Sequence, residues 1–253
     1  RLPSGTVYGR RVEVVALDDP VGQADMVIAA LAMPPHLDEL AAQLMAIGLP
    51  VLFALTPLGG GEDISIQRSL VPTDRDVNGA IAAHLATTAA RHIGISAPPD
   101  RFDALSYMIR LAMPDARIEA VERLAADRET PDVVIDLDGH VPQELSEPVI
   151  LYRLATLART AAHAERSFLV IEAPHLVELA IDEDLHPLEA HATLSARVLA
   201  KALTHAGRDL SRSRLLSALD DTNLGIEHLD YARLPLNGSD YVAIVEDLNV
   251  EKR

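Results

Sequence analysis

The sequence predicts an α/β fold, and three observations carry that prediction. Short apolar runs alternate with longer amphipathic stretches along most of the chain. Several of the short runs are unbroken stretches of β-branched or aliphatic residues, the pattern of parallel strands buried on both faces. Hydrophobic residues make up 49% of the 253 positions but aromatic residues only 3%, so the core must be built from Ala, Leu, Val and Ile.

Strands are expected at Arg11–Leu17, Met26–Ala32, Pro50–Leu55, His92–Ser96, Arg117–Val121, Asp132–Leu137, Val149–Tyr152 and Phe168–Ile171. Helices are expected between them at Leu37–Ile47, Asp76–Ala90, Ala104–Leu111 and Leu188–Ala206. Leu40, Leu44 and Ile47 form one apolar face, and Ile81, Leu85 and Ala89 another. Near the end of the chain, Leu229–Leu234 and Tyr241–Leu248 read as a β-hairpin turning at Asn237-Gly238. The Gly59-Gly60-Gly61 loop and the Val71-Pro72-Thr73-Asp74 segment mark the best boundary between two lobes.

Charge and composition exclude several classes. Lys plus Arg number 22 and Asp plus Glu 38, a net charge of −16, which repels nucleic-acid phosphates and anionic lipid. There is no cysteine, so disulfides, thiolate metal sites and cysteine nucleophiles are excluded. No apolar run reaches the roughly 20 residues of a membrane span. The start, Arg1-Leu2-Pro3-Ser4-Gly5, has no initiator Met and no signal-like apolar region, and reads as a processed or trimmed product.

Known enzyme motifs are missing as well. Gly94-Ile95-Ser96-Ala97-Pro98 stops one glycine short of a nucleophile elbow, and Gly59-Gly60-Gly61 is not followed by Lys-Ser/Thr. The His175 to His191 segment, rich in Asp and Glu, has poor metal-ligand spacing, because Glu189 and His191 fall on different helix faces. It reads as a solvated acidic loop capping the next helix. No cofactor is expected.

The most specific stretch is Leu194–Leu203 followed by Ala206-Gly207-Arg208-Asp209-Leu210-Ser211-Arg212 and Leu215–Leu219. Leu194, Val198, Leu199, Ala202 and Leu203 make one buried stripe. Gly207 sits where a left-handed helix end is wanted, and Asp209 or Ser211 can cap the second helix. The wording resembles a segment of type I periplasmic solute-binding proteins of the branched-chain amino acid kind. Gly9-Arg10-Arg11-Val12-Glu13 through Asp18-Asp19-Pro20, Met26–Leu31, Ile47–Leu52 and Arg68–Asp74 resemble further segments of that family, in the same order. The family's opening strand and long helix have no counterpart before Asp18-Asp19, so the sequence is expected to lack segments.

The resemblance implies two α/β lobes, each a mainly parallel sheet flanked by helices, with the ligand cleft between them. It assigns residues 1–70 plus 188–221 to lobe one and 71–187 plus 222–253 to lobe two. It also implies a monomeric, non-enzymatic periplasmic protein that closes on a small molecule and delivers it to a membrane permease. A sensor of the same fold is the second reading, and a small α/β hydrolase using Ser96 a third.

In open α/β sheets, ligands bind beyond the carboxyl ends of the strands. The expected ligand residues are His36 and Thr56 in lobe one, and Phe102, His140, Tyr152 and Arg153 in lobe two. Each has a plainer alternative. Thr56 is a turn residue before Pro57, Phe102 a core ring, the two histidines solvated loop residues, and Arg153 half of a surface ion pair. Pro34 and Pro35 remove amide donors where amino-acid-binding relatives hold a zwitterion. The expected ligand is therefore richer in hydrocarbon: lipid-like, aromatic or a branched acid.

Overall fold

Two parallel sheets organise the chain. The computed structural model describes residues 6–7, 10–13, 19, 21–31, 43–44, 46–55, 67–121, 130–139, 150–155, 166–208, 210–221, 225–226, 228–232 and 238–247. In chain order the strands and α-helices are β1 (Thr6–Val7), β2 (Arg10–Arg11), β3 (Ala30–Leu31), β4 (Val51–Leu52), β5 (Gln67–Arg68), α1 (Asp74–Leu85), β6 (His92–Ser96), α2 (Pro99–Ala112), β7 (Arg117–Ala120), β8 (Val133–Asp136), β9 (Ile150–Leu154), β10 (Arg166–Ile171), α3 (Pro174–Asp182), α4 (Pro187–Ala206), α5 (Arg212–Asp221) and β11 (Ala243–Glu246).

The chain divides into two units. The first is Arg1–Pro72 with His175–Asp240, and the second Thr73–Pro174 with Tyr241–Arg253. The backbone therefore passes between them at Pro72–Thr73, Pro174–His175 and Asp240–Tyr241. Segments 175–187 and 222–240, expected in lobe two, fall in the first unit. The reason is packing: Leu176, Leu179, Leu229 and Tyr231 all pack into that unit's core.

In the first unit, β3, β4 and β5 form a parallel sheet in that order. Its main core joins Leu52, Phe53 and Leu70 to the buried stripe of α4 (Leu194, Val198, Ala202, Leu203) and to Leu215 and Leu219 of α5. Helix α4 starts on a reciprocal cap: His186 Nδ1 accepts the Leu188 amide at 3.3 Å, and the Glu189 carboxylate accepts the His186 amide at 3.0 Å. It ends at Gly207, as the sequence predicts, but with φ +80° and ψ −156° the glycine is in a glycine-favouring conformation other than the expected left-handed cap. Ser211 then receives the Arg214 amide on its hydroxyl at 3.2 Å and begins α5.

The second unit is a six-stranded sheet in the order β11-β10-β9-β8-β6-β7, parallel except for β11. Alternation along the strands sends Ile93, Ile95, Val133, Ile135, Tyr152, Leu154, Phe168 and Val170 to one face, against Val77, Ile81, Leu85, Leu105 and Ile109 of α1 and α2. Thr73 and Asp76 close a capping box at the start of α1, with the Thr73 amide 3.0 Å from the Asp76 carboxylate.

Two expectations need qualification. Much of the expected terminal hairpin, residues 233–237 and 248, lies outside the described residues. Among the described ones β11 joins β10 antiparallel, Phe168 opposite Glu246 and Ile171 opposite Ala243. Tyr231 lies, fully buried, in a turn, and the Asp230 amide bonds Gly238 O at 2.8 Å. Helix α3 stands where the sequence reads as loop. Its apolar residues point both ways, Leu176 and Leu179 inward but Val177 and Ile181 outward at 44% and 73% exposure, so no amphipathic period marks it. Among the described residues no helix is long and apolar enough to cross a membrane.

Candidate functional site

The carboxyl edge of the second unit's sheet is built by β6 and β8 with the starts of α1 and α2. Beyond β6, the Pro98-Pro99 pair opens α2 without any side-chain cap. Pro99 has no N–H and the Phe102 amide already bonds Pro98 O at 2.8 Å, so the first turn keeps the Asp100 and Arg101 amides. Ser96 Oγ donates to Asp138 at 2.6 Å, and the Gly139 amide donates to Asp136 at 2.7 Å. Arg101 is shared between Asp74 at 3.2 Å and Glu172 at 3.3 Å, which ties the starts of α1 and α2 to the end of β10.

Just beneath this edge runs a row that sequence reasoning missed. Ser96 stands opposite Asp136 and Asp136 opposite Arg153 on three neighbouring parallel strands, so the three share one face. All are at most 4% exposed. Burial pushes the Asp136 carboxyl above the usual range, against the pull of the Gly139 and Asp138 amides. The signal in the sequence was a polar residue at the last or next-to-last position of three apolar strands.

Three of the six predicted residues are described. His36, Thr56 and His140 lie outside the described residues. Phe102 lies in the first turn of α2, partly buried, with its ring packed on the unit's core. Tyr152 is an interior residue rather than an edge residue: it is fully buried, stacked on Phe168 at 5.0 Å, and its hydroxyl bonds His84 Nδ1 at 2.8 Å. Burial raises its hydroxyl pKa to about 12. Arg153 is 4% exposed, so it is not half of a surface ion pair; its Nη2 is 3.5 Å from Ser167 Oγ within the sheet. Ser96, which a hydrolase would need, donates to a carboxylate and not to an imidazole.

In the first unit, the carboxyl end of β4 is Phe53, whose φ of +59° is the left-handed conformation that a bulky residue adopts only at a cost of about 1–2 kcal/mol. The ring is 2% exposed in the core, and the Phe53 amide bonds Arg68 O at 2.6 Å, so packing and pairing hold the strained backbone. This turns the chain sharply at the point where Ala54 and Leu55 leave the sheet. Among the described residues no group of three or more His, Asp or Glu side chains is placed to hold a metal ion.

No family model matches the sequence, nor does a curated protein. Solved structures do. An extracellular ligand-binding receptor from Rhodopseudomonas palustris HaA2 superposes with a TM-score of 0.66 at 12% identity, over 94% of this chain and 91% of that one. An extracellular ligand-binding receptor from Verminephrobacter eiseniae ef01-2 gives 0.63 at 15% identity, over 89% and 79%. An ABC transporter substrate-binding protein from Desulfitobacterium hafniense, in complex with Leu, gives 0.61 at 17% identity, over 86% and 79%. The fold is thus that of the type I periplasmic-binding proteins, the one the Ala206–Leu219 wording resembles.

Proposed function

We propose that this chain is a solute-binding protein of the bacterial cell envelope. It captures a small ligand between its two lobes and passes it to a membrane transporter, without catalysis and as a monomer. The observation that carries this reading is the agreement of almost the whole chain with substrate-binding receptors, one of them solved with Leu. On this reading the contacts come from loops that follow strands: His36 and Thr56 in the first unit, Phe102 and His140 in the second. Tyr152 and Arg153 support the sheet beneath.

The ligand carries more hydrocarbon than a free amino acid. Prolines at 34–35 and at 98–99 withhold amide donors where a carboxylate would be cradled, and Phe102 brings a ring to the first turn of α2. Native mass spectrometry of the purified protein, followed by denaturing extraction, tests both statements. A co-purified apolar acid or lipid-like molecule is expected. Tight calorimetric binding of leucine or valine would overturn the apolar part. Turnover of an activated ester, abolished in Ser96→Ala, would overturn the transport reading.

A further inference from the structure

Inside the first unit, the segment leading to the first passage between units is held at three consecutive residues. Arg68 bonds Asp220 of α5 through both Nε and Nη2 at 2.7 Å. The Ser69 carbonyl accepts Tyr231 Oη at 2.6 Å, and the Leu70 carbonyl accepts His175 Nε2 at 3.0 Å. His175 is the first residue after the second passage, at Pro174. One hydrogen bond therefore joins two of the covalent connections between the units, within two residues of each. Any reorientation of one unit on the other is taken up at such connections.

Because a carbonyl only accepts, His175 must carry its proton on Nε2 and leave Nδ1 bare. Nδ1 is buried without a hydrogen-bond partner among the described residues. A second proton would place a charge there with no acceptor to receive it. Burial is the largest influence and disfavours the charged ring; the Leu70 carbonyl favours it, but less, and the two nearby histidines add to the effect of burial. His191 of α4, itself buried with Nε2 unpartnered, and His228 of the following turn are both bases, and each disfavours a charged His175. Asp220 of α5 is engaged by Arg68.

We propose that His175 is a proton-operated latch on these connections: neutral, it ties Leu70 to the start of α3, and protonation releases the tie. This goes beyond the ligand-capture reading and stands independently of it, since no ligand enters the argument.

Burial holds His175 down to about 4 when the latch is closed, against 6.5 for a free imidazole. Between those values the open form takes up the proton, so opening becomes easier as pH falls. The opening constant rises about 20-fold from pH 7 to pH 5. The test is amide hydrogen exchange by NMR on the ligand-free protein, reading Phe53 and Val71, whose amides bond Arg68 O and Ser69 Oγ. Protection, corrected for intrinsic rates, is expected to drop about 20-fold in the wild type between pH 7 and 5. It is expected to drop less than about 3-fold in His175→Gln, which keeps an N–H for Leu70 but cannot titrate. An equal drop in both proteins, or none in the wild type, overturns the latch. If the variant does not fold, the imidazole is titrated directly in the wild type. A midpoint near 4 supports the latch, and one above about 6 overturns it.

Discussion

Tyr231→Phe isolates one bond of the first unit. The hydroxyl donates to the Ser69 carbonyl at 2.6 Å, and both residues have zero exposure. Phenylalanine keeps the ring in the core with Leu70, Leu215 and Leu229, so no large cavity opens and the transfer term is small. What remains is a carbonyl left dry in the interior, a loss of about 1–3 kcal/mol. Urea unfolding followed by circular dichroism measures it. The midpoint of the transition that unfolds the first unit should fall by about 1 M at constant slope, taking a slope of roughly 2 kcal/mol per M. A second check uses pH. Burial drives the Tyr231 hydroxyl pKa far above the ordinary 10. A group with a raised folded pKa contributes stability that is full below pH about 10 and is lost above it. The gap between wild type and variant should therefore close as pH rises past about 10. Tyr152 titrates alike in both proteins and cancels. A loss below about 0.5 kcal/mol, or a gap indifferent to alkaline pH, would refute the claim that this bond holds the connection.

Three further substitutions probe other parts. Gly238→Ala sets a Cβ 2.6 Å from Tyr231 Cζ, a ring that its own hydrogen bond prevents from moving, at a φ of +72°. It should lower stability in thermal unfolding by more than about 2 kcal/mol, whereas Gly207→Ala, with nothing within 4 Å, should lose only about 1. Arg212→Lys should lower stability by about 1–3 kcal/mol, because an ammonium cannot serve the carbonyls of Ala24, Val27, Ile47 and Gly48 together. Asp132 accepts the Arg91 and His92 amides at 2.8 and 3.0 Å, which hold its carboxyl below the usual range. Its contribution is present above pH about 4 and is lost as pH falls through the lower folded value, so Asp132→Ala should flatten the acid limb of a stability–pH curve.

The strands of the second unit were legible because their environment is simple. β6 and β8 are buried at every position, and their centres, Ile93–Ile95 and Val133–Ile135, carry only apolar residues and glycine. Helix α4 was legible because its stripe and its Gly207 stop agree. What stayed hidden is set by distant parts of the chain. β11 pairs with β10, Ile171 opposite Ala243, and no local pattern near β11 marks so distant a partner. The clamp on 68–70 draws on residues as far as 162 positions away, and no local pattern marks it. Phe53 is the sharpest case: a left-handed turn normally announces itself through Gly or Asn, and here a ring buried in the core imposes it instead.

The same division explains why the family-like wording informs on the scaffold more than on the ligand. Arg212 of that wording bonds Ile47 O at 2.9 Å and also the Ala24 carbonyl. Those carbonyls close the turns that lead into β4 and β3 respectively. The motif thus fixes how both strands enter the sheet, a demand any ligand would make equally. On the proposed reading, ligand chemistry is decided by the Met33-Pro34-Pro35-His36 and Thr56-Pro57 sequences, which lie outside the described residues. A chain can keep Arg212 for its carbonyls while exchanging amide donors for prolines, and the two segments then report on different properties. Grafting a glycine- and serine-rich loop at 33–36 should accordingly change which ligand binds and leave the unfolding transition of the first unit within about 0.5 kcal/mol of wild type.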